Sequence, residues 1–268
     1  MNQSSLLAAI QMNSGDDVDT NIRLASELIA QAAAKGAKYV VLPEYFYWMG
    51  ADETQRVHLA EAFGDGPLQR KLSELAATYQ LWLAAGTLPI ASPEPEHVYN
   101  TQLLFNPQGQ CQARYDKVHL FGYDDGSMRY QESDVLTAGR DVVTYSLPFA
   151  KARASVCYDL RFPELYRQAP DYQIISMAAA FTYTTGLAHW HTLLQARAIE
   201  NQCYVVAAAQ TGEHLGAKQT YGHSLIVDPW GEIVSECPAG NGVVVAAYDP
   251  QLLATVRQKL PALAHRML

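Results

Sequence analysis

The stretch Ala152-Arg153-Ala154-Ser155-Val156-Cys157-Tyr158-Asp159-Leu160-Arg161-Phe162-Pro163-Glu164 passes from a mostly apolar run into a turn, and then into residues that can open a helix. Small and β-branched side chains suit a strand at 152–156, and Pro163 suits a first helical turn because its φ is already fixed there. Strand, turn and helix in that order form the unit of an α/β fold, and the alternation continues on both sides.

Upstream, residues 6–12 read as a first strand. A helix over 20–34 follows, with Ile22, Ala25, Leu28, Ile29 and Ala32 along one face, Asp19 as N-cap and Gly36 past its end. The apolar run 39–42 predicts a buried strand that Pro43-Glu44 closes. A second helix fits 68–79 and a strand fits 81–86. Residues 103–106 and 112–115 flank the turn Pro107-Gln108-Gly109 as a hairpin. Downstream, strands fit 174–177, 204–208, 224–227 and 243–248, a helix fits 189–201, and Asp228-Pro229-Trp230-Gly231 is a turn. Hairpins among alternating strands and helices predict sheets of mixed direction. The proline-rich 92–96 reads as a surface loop. With no linker, repeat or charge block, residues 1–268 are expected to form a single domain.

Composition narrows the classes of function. A hydrophobic content of 49% against 17% charged residues provides ample apolar surface for a core. A net charge of −8 argues against non-specific binding to nucleic acid or acidic membranes. Residues 1–10 lack the basic and apolar regions of a signal peptide, and no run of about 18 apolar residues could span a bilayer. Four cysteines without a CxxC or Cys/His ligand spacing fit neither a disulfide framework nor a structural zinc site. The expectation is a reduced, cytoplasmic protein with a small-molecule substrate, no cofactor or metal, and no nucleic-acid or membrane partner. Sixteen tyrosines are enough for some to line a cleft.

Four cysteines compete for the role of nucleophile. Cys111 beside a Gln-Gly-Gln turn and Cys237 in a polar Glu-Cys-Pro segment read as surface positions, and Cys203 reads as a small buried hydrophobe. Cys157 sits where the strand turns, and backbone N–H groups at such a turn favour a thiolate and can bind an oxyanion. Local context leaves a structural cysteine equally open. Glu44, in Leu42-Pro43-Glu44-Tyr45-Phe46, follows an apolar strand among aromatic residues, which would raise its pKa and suit a general base; a solvated turn residue is the plainer reading. Lys117, in Tyr115-Asp116-Lys117-Val118-His119-Leu120, lies at a strand end and can equally be a solvated lysine. His119, two residues on, reads as structural. Asp159, Arg161 and Glu164 can brace the turn as an ion-pair network, or Arg161 can bind a substrate carboxylate.

Together these segments resemble the three signature motifs, in order, of the nitrilase or carbon–nitrogen hydrolase superfamily. The resemblance runs from the first strand through Tyr221-Gly222-His223-Ser224 and Asp228-Pro229-Trp230-Gly231 to the last strand. It implies a four-layer α-β-β-α sandwich with two mixed sheets, a homodimer or larger homo-oligomer, and a catalytic set of Glu44, Lys117 and Cys157. Glu132, in Tyr130-Gln131-Glu132-Ser133, matches a further glutamate. Lys117 and the Tyr158 N–H would hold the oxyanion, with Arg161, Phe181 and Thr182 near the substrate.

Residues 184–190 and 196–210 are most similar to the branch of deaminated glutathione amidases and ω-amidases. This implies hydrolysis of a small amide through a cysteine thioester, with deaminated glutathione giving 2-oxoglutarate and cysteinylglycine. A 2-oxo acid amide such as 2-oxoglutaramate is the alternative, and a non-catalytic binding protein of the same fold is the alternative from another class. The pattern departs from its relatives before Phe181, at 170–174 and at 122–128, the segments that border the substrate.

Overall fold

The computed structural model describes residues 5–124, 126 and 129–267. The chain first lays down β1 (Leu6–Gln11), α1 (Val18–Ala34), β2 (Ala37–Val41), α2 (Gln55–His58), α3 (Pro67–Tyr79), β3 (Trp82–Ala84), β4 (Leu88–Ala91), β5 (Val98–Phe105) and β6 (Cys111–Asp116). In this sheet β1, β2 and β3 are parallel, and β5 runs antiparallel to β3, β4 and β6. A short hairpin, β7 (Gly122–Asp124) and β8 (Arg129–Gln131), leads to β9 (Thr144–Ser146), β10 (Lys151–Val156), α4 (Pro163–Arg167), β11 (Ile174–Ala179), α5 (Tyr183–Asn201) and β12 (Tyr204–Ala209). After a second hairpin, β13 (Thr211–His214) and β14 (Lys218–Tyr221), come β15 (Ser224–Val227), β16 (Ile233–Cys237), β17 (Gly242–Ala247) and α6 (Pro250–Lys259). The second sheet has the order β16-β15-β12-β11-β10-β9, and β17 returns to pair with β1.

Strand alternation creates the layers. Leu7 and Ala9 of β1 enter a core shared with Ala152, Ala154, Ile175 and Val206 of the second sheet. Ala8 and Ile10 face the other way, into a core shared with Leu28 and Ile29 of α1 and Leu72 and Leu75 of α3. Trp190, Leu194 and Ala198 of α5 pack against the second sheet. The Tyr39 and Tyr145 hydroxyls, 2.6 Å apart, join the two sheets across their interface. The result is the α-β-β-α sandwich expected from the sequence. Burying a Leu or Ile side chain contributes ~1.5–3 kcal/mol, so these stripes outweigh the weak intrinsic preferences of short helices.

Two boundaries differ from the sequence reading. The N-cap of α1 is Asp17 rather than Asp19: the Asp17 side chain accepts the Thr20 N–H at 2.7 Å, and Asp19 lies in the first turn. Helix α5 starts at Tyr183, six residues before the expected 189, because Gly186 is helical for a packing reason. A Cβ there would stand 2.3 Å from that of Tyr221. Strands of three to five residues, β4, β7, β8, β9, β13, β14 and β16, are too short to show a period.

The parallel strands β2, β10 and β11 end on one side of the sandwich, where Glu44, Cys157 and Ala180 follow them. Lys117 follows β6. Crevices at the carboxyl ends of strands are where α/β folds bind ligands.

Candidate active site

Cys157 directly follows β10 with φ of +47°, a left-handed conformation that costs a non-glycine residue energy and needs support. The support comes from Asp159, which is fully buried. Its carboxylate accepts the Val156 N–H at 2.8 Å, the Tyr115 hydroxyl at 2.6 Å and the His119 N–H at 3.1 Å. The His119 Nδ1 lies 2.7 Å from it as well, and the imidazole stacks on Phe162 at 3.8 Å. His119 therefore has the structural place expected of it.

The expected ion-pair network of Asp159, Arg161 and Glu164 does not form. Arg161 makes no ion pair among the described residues; its guanidinium lies over the rings of Tyr158 and Phe181, 3.3 Å from the His189 Nδ1. Asp159 braces the turn alone because its acceptors are already filled by the donors that surround it.

Glu44 and Lys117 come from the other sheet. The Lys117 Nζ lies 2.9 Å from the Glu44 Oε1 and 2.8 Å from Glu132. Glu44 Oε1 also accepts from Asn100 at 2.9 Å, and its Oε2 accepts the Ala180 N–H at 2.9 Å. The Glu44 carbonyl is held by Gln210 at 3.1 Å. Gly86 allows this turn: its φ is +48°, and a Cβ there would stand 2.2 Å from the Pro43 carbonyl oxygen. Glu132 accepts from Lys117, from the Tyr45 hydroxyl at 2.9 Å and from the Phe121 N–H at 2.6 Å, so its oxygens are largely committed. An ammonium has three N–H donors; with two on carboxylates, Lys117 keeps one for another oxygen.

Burial dominates the electrostatics. It raises the Glu44 pKa; Lys117 pulls it back down and the Glu132 charge pushes it up again. Burial alone would lower Lys117, but Glu132 and Glu44 overcome it and hold the ammonium firmly charged. Burial and then the Glu44 charge push the Cys157 thiol well above its usual range, and Lys117 only partly offsets them. The sequence reading had the N–H groups of the turn favouring the thiolate. In the folded site desolvation outweighs them, so Cys157 rests as a thiol beside the Glu44 carboxylate.

A pocket of about 650 Å³ opens over this set and is lined by Glu44, Glu132, Cys157, Tyr158, Arg161, Phe181 and Thr182. Cys157 is 9% exposed, whereas Glu44 and Lys117 are 1% and 0% exposed, so among these three the thiol is the group a ligand reaches first. Tyr45, Tyr123, Tyr130, Tyr158 and Tyr183 also line it, consistent with the tyrosine-rich composition. A second cleft, about 630 Å³, is lined by Ser92, Tyr99, Arg114, Asp116 and Arg140 and by no cysteine. Part of the 122–128 segment, residues 125, 127 and 128, lies outside the described residues.

Sequence reasoning missed Asn100, Arg56, Glu53 and Lys218. Arg56 is buried flat over Tyr45 at 3.8 Å and pairs with Glu53, which also pairs with Lys218. Arg56, Lys218 and Arg161 line the catalytic pocket together with the carboxylates Glu44, Glu53 and Glu132. Burial lowers Lys218 to about 8. Asn100 carried a usable signal, a buried amide inside an apolar strand. Lys218 carried none, since its partner Glu53 is 165 residues away.

The carbon–nitrogen hydrolase family model matches residues 6–258. The chain is 40% identical to the nitrilase and fragile histidine triad fusion protein NitFhit of Caenorhabditis elegans, over 97% of this chain and 60% of that longer protein. It is 42% identical to the deaminated glutathione amidase of Synechocystis sp. strain PCC 6803, over 98% of each. The crystal structure of C. elegans NitFhit superposes with a TM-score of 0.93 at 39% identity, covering 100% of this chain and 66% of that one. An amidase from Nesterenkonia sp. AN1, solved with acrylamide added to its active-site cysteine, superposes at 0.79 and 26% identity over 96% of this chain and 98% of that one.

Proposed function

We propose that this chain, which belongs to the carbon–nitrogen hydrolase family and is an amidohydrolase, cleaves deaminated glutathione using Glu44, Lys117 and Cys157, with residues 1–268 acting as one catalytic domain. The observation that carries the residue assignment is the convergence of a buried thiol, a buried carboxylate with a raised pKa, and a lysine paired to that carboxylate at 2.9 Å. The substrate assignment rests on likeness to the deaminated glutathione amidases, joined to the charge of the pocket. Deaminated glutathione carries a carboxylate at each end. Arg161 and Lys218 in the pocket lining are cations that suit them.

The chemistry runs in two halves. The Cys157 sulfur attacks the amide carbonyl carbon while Glu44 takes the thiol proton. The oxyanion is held by the remaining Lys117 N–H and the Tyr158 N–H, each such donor being worth about 3 kcal/mol. The C–N bond then breaks, Glu44 passes its proton to the departing amine of cysteinylglycine, and a 2-oxoglutaryl thioester remains. Glu44 deprotonates a water that attacks this thioester, 2-oxoglutarate leaves, and the sulfur recovers its proton. Glu132 positions Lys117, since its own oxygens are occupied by Lys117, Tyr45 and Phe121. Arg161 binds the 2-oxo acid carboxylate, and Phe181 and Thr182 wall the acyl group.

The same reading includes a cytoplasmic homodimer or larger homo-oligomer. The four free cysteines suit a reducing compartment. No helix among the described residues is long and apolar enough to cross a membrane. A substrate panel scored by kcat/KM tests the assignment. Deaminated glutathione should lead, and faster turnover of 2-oxoglutaramate would replace it with the ω-amidase reading.

A further inference from the structure

On the face of the molecule formed by α5 and the β15–β16 edge, His191, His223 and Glu236 converge. The Glu236 Oε1 lies 2.8 Å from the His191 Nε2 and 2.5 Å from the His223 Nδ1. The three donor atoms all fall within 4.8 Å of one another. None of these residues lines the catalytic pocket. We propose that His191, His223 and Glu236 form a binding site for a divalent transition-metal ion of the zinc type, with its remaining coordination position open to water.

Two imidazole nitrogens and one carboxylate oxygen are the ligand set that zinc accepts when one position stays open. In a tetrahedral site with bonds of about 2.0–2.1 Å, neighbouring ligands stand about 3.3 Å apart, so small rotations of these side chains admit the ion. Binding would exchange the two imidazole N–H···O contacts for three metal bonds, with each nitrogen that now faces Glu236 turning its lone pair inward.

The scaffold holds the three residues in place before any ion arrives. His191 is on the 19-residue helix α5, and the neighbouring Trp190 donates its Nε1–H to the His223 carbonyl at 2.9 Å, which fixes the helix against the β14–β15 turn. His223 itself has φ of +55°, a left-handed conformation that directs its ring toward Glu236 and is sustained by the turn around it. Tyr221 stacks on the His223 ring at 4.3 Å. Glu236 is placed by the β15–β16 ladder, in which it stands opposite Leu225. A solvated ion pair would need only one histidine, whereas here two from separate elements meet one carboxylate oxygen. Preorganised ligands on rigid elements are what a metal site requires.

The test is isothermal titration of zinc chloride into Cys157→Ala protein, which removes the pocket thiol as a competing ligand. One ion per chain should bind with a micromolar Kd and raise the Tm. Adding His191→Ala, a substitution that a helix tolerates, should weaken binding by at least about a hundredfold, beyond the loss caused by removing an outer partner of a metal site. Adding Glu236→Gln should do the same, and Cys237→Ser should leave it unchanged. No uptake at millimolar zinc, or uptake that survives His191→Ala with the fold intact by circular dichroism, would overturn the proposal.

Discussion

The Lys117 ammonium and the Glu44 carboxylate meet at 2.9 Å with almost no solvent around either, and a second carboxylate, Glu132, holds the same ammonium at 2.8 Å. One cation between two buried anions leaves the set short of positive charge. Burial keeps Glu44 basic and, with the Glu44 charge second, keeps the neighbouring Cys157 protonated at rest. The thiol then loses its proton only as it attacks.

Glu44→Gln separates catalysis from stability. The amide preserves the shape but cannot accept the thiol proton, so kcat should fall by about 10²–10⁴-fold, the range of a lost general base. Folding raises the Glu44 pKa above its ordinary value of 4.5. Stability from this group is therefore complete below that value and is lost as pH rises through the folded pKa. At neutral pH the variant should match or exceed the parent in Tm by calorimetry, and a drop of several degrees would contradict a raised Glu44 pKa.

The pH profile should carry two signatures. The acid limb of kcat/KM reports Glu44 in the free enzyme and should lie above 4.5, because burial favours its protonated form. The basic limb should fall near 8, where Lys218 loses the charge that attracts a substrate carboxylate. In Lys218→Arg that limb should move upward while the acid limb stays in place.

Arg161→Met should act on binding. A charged hydrogen bond is worth ~1.5–3 kcal/mol, so KM for deaminated glutathione should rise about tenfold to a hundredfold. The kcat should change far less. Unchanged KM with reduced Tm would return Arg161 to a bracing role.

Asp159→Ala removes the acceptor of the Val156 and His119 N–H groups and of the buried Tyr115 hydroxyl. Stranding these donors should cost on the order of 3 kcal/mol in denaturant unfolding and release the strain at Cys157. Asp159→Asn, which keeps an acceptor, should recover part of that loss.

Much of this site was legible in the sequence because its motifs are local. The strand into Cys157 and the apolar run into Glu44 have periods and ends that can be read along the chain. The direction of the Cys157 pKa was not, because it depends on burial and on Glu44, which the other sheet supplies. The same holds for Arg56 and Lys218, whose polar neighbours resemble a solvated surface until folding joins them through Glu53. Asp17 capped α1 in place of Asp19 because either aspartate satisfies the local pattern and only the Thr20 N–H selects between them. The length of α5 was concealed by Gly186, whose reason for being helical is Tyr221 on another element.

The central claim is that the acyl group passes through Cys157. It is tested most directly by quenching the enzyme in acid during turnover of deaminated glutathione and locating the adduct by peptide mass spectrometry. The account predicts a 2-oxoglutaryl thioester on the peptide containing Cys157, and none in Cys157→Ala, which should be inactive. Full hydrolysis by Cys157→Ala, or an adduct confined to Cys111, Cys203 or Cys237, would contradict it.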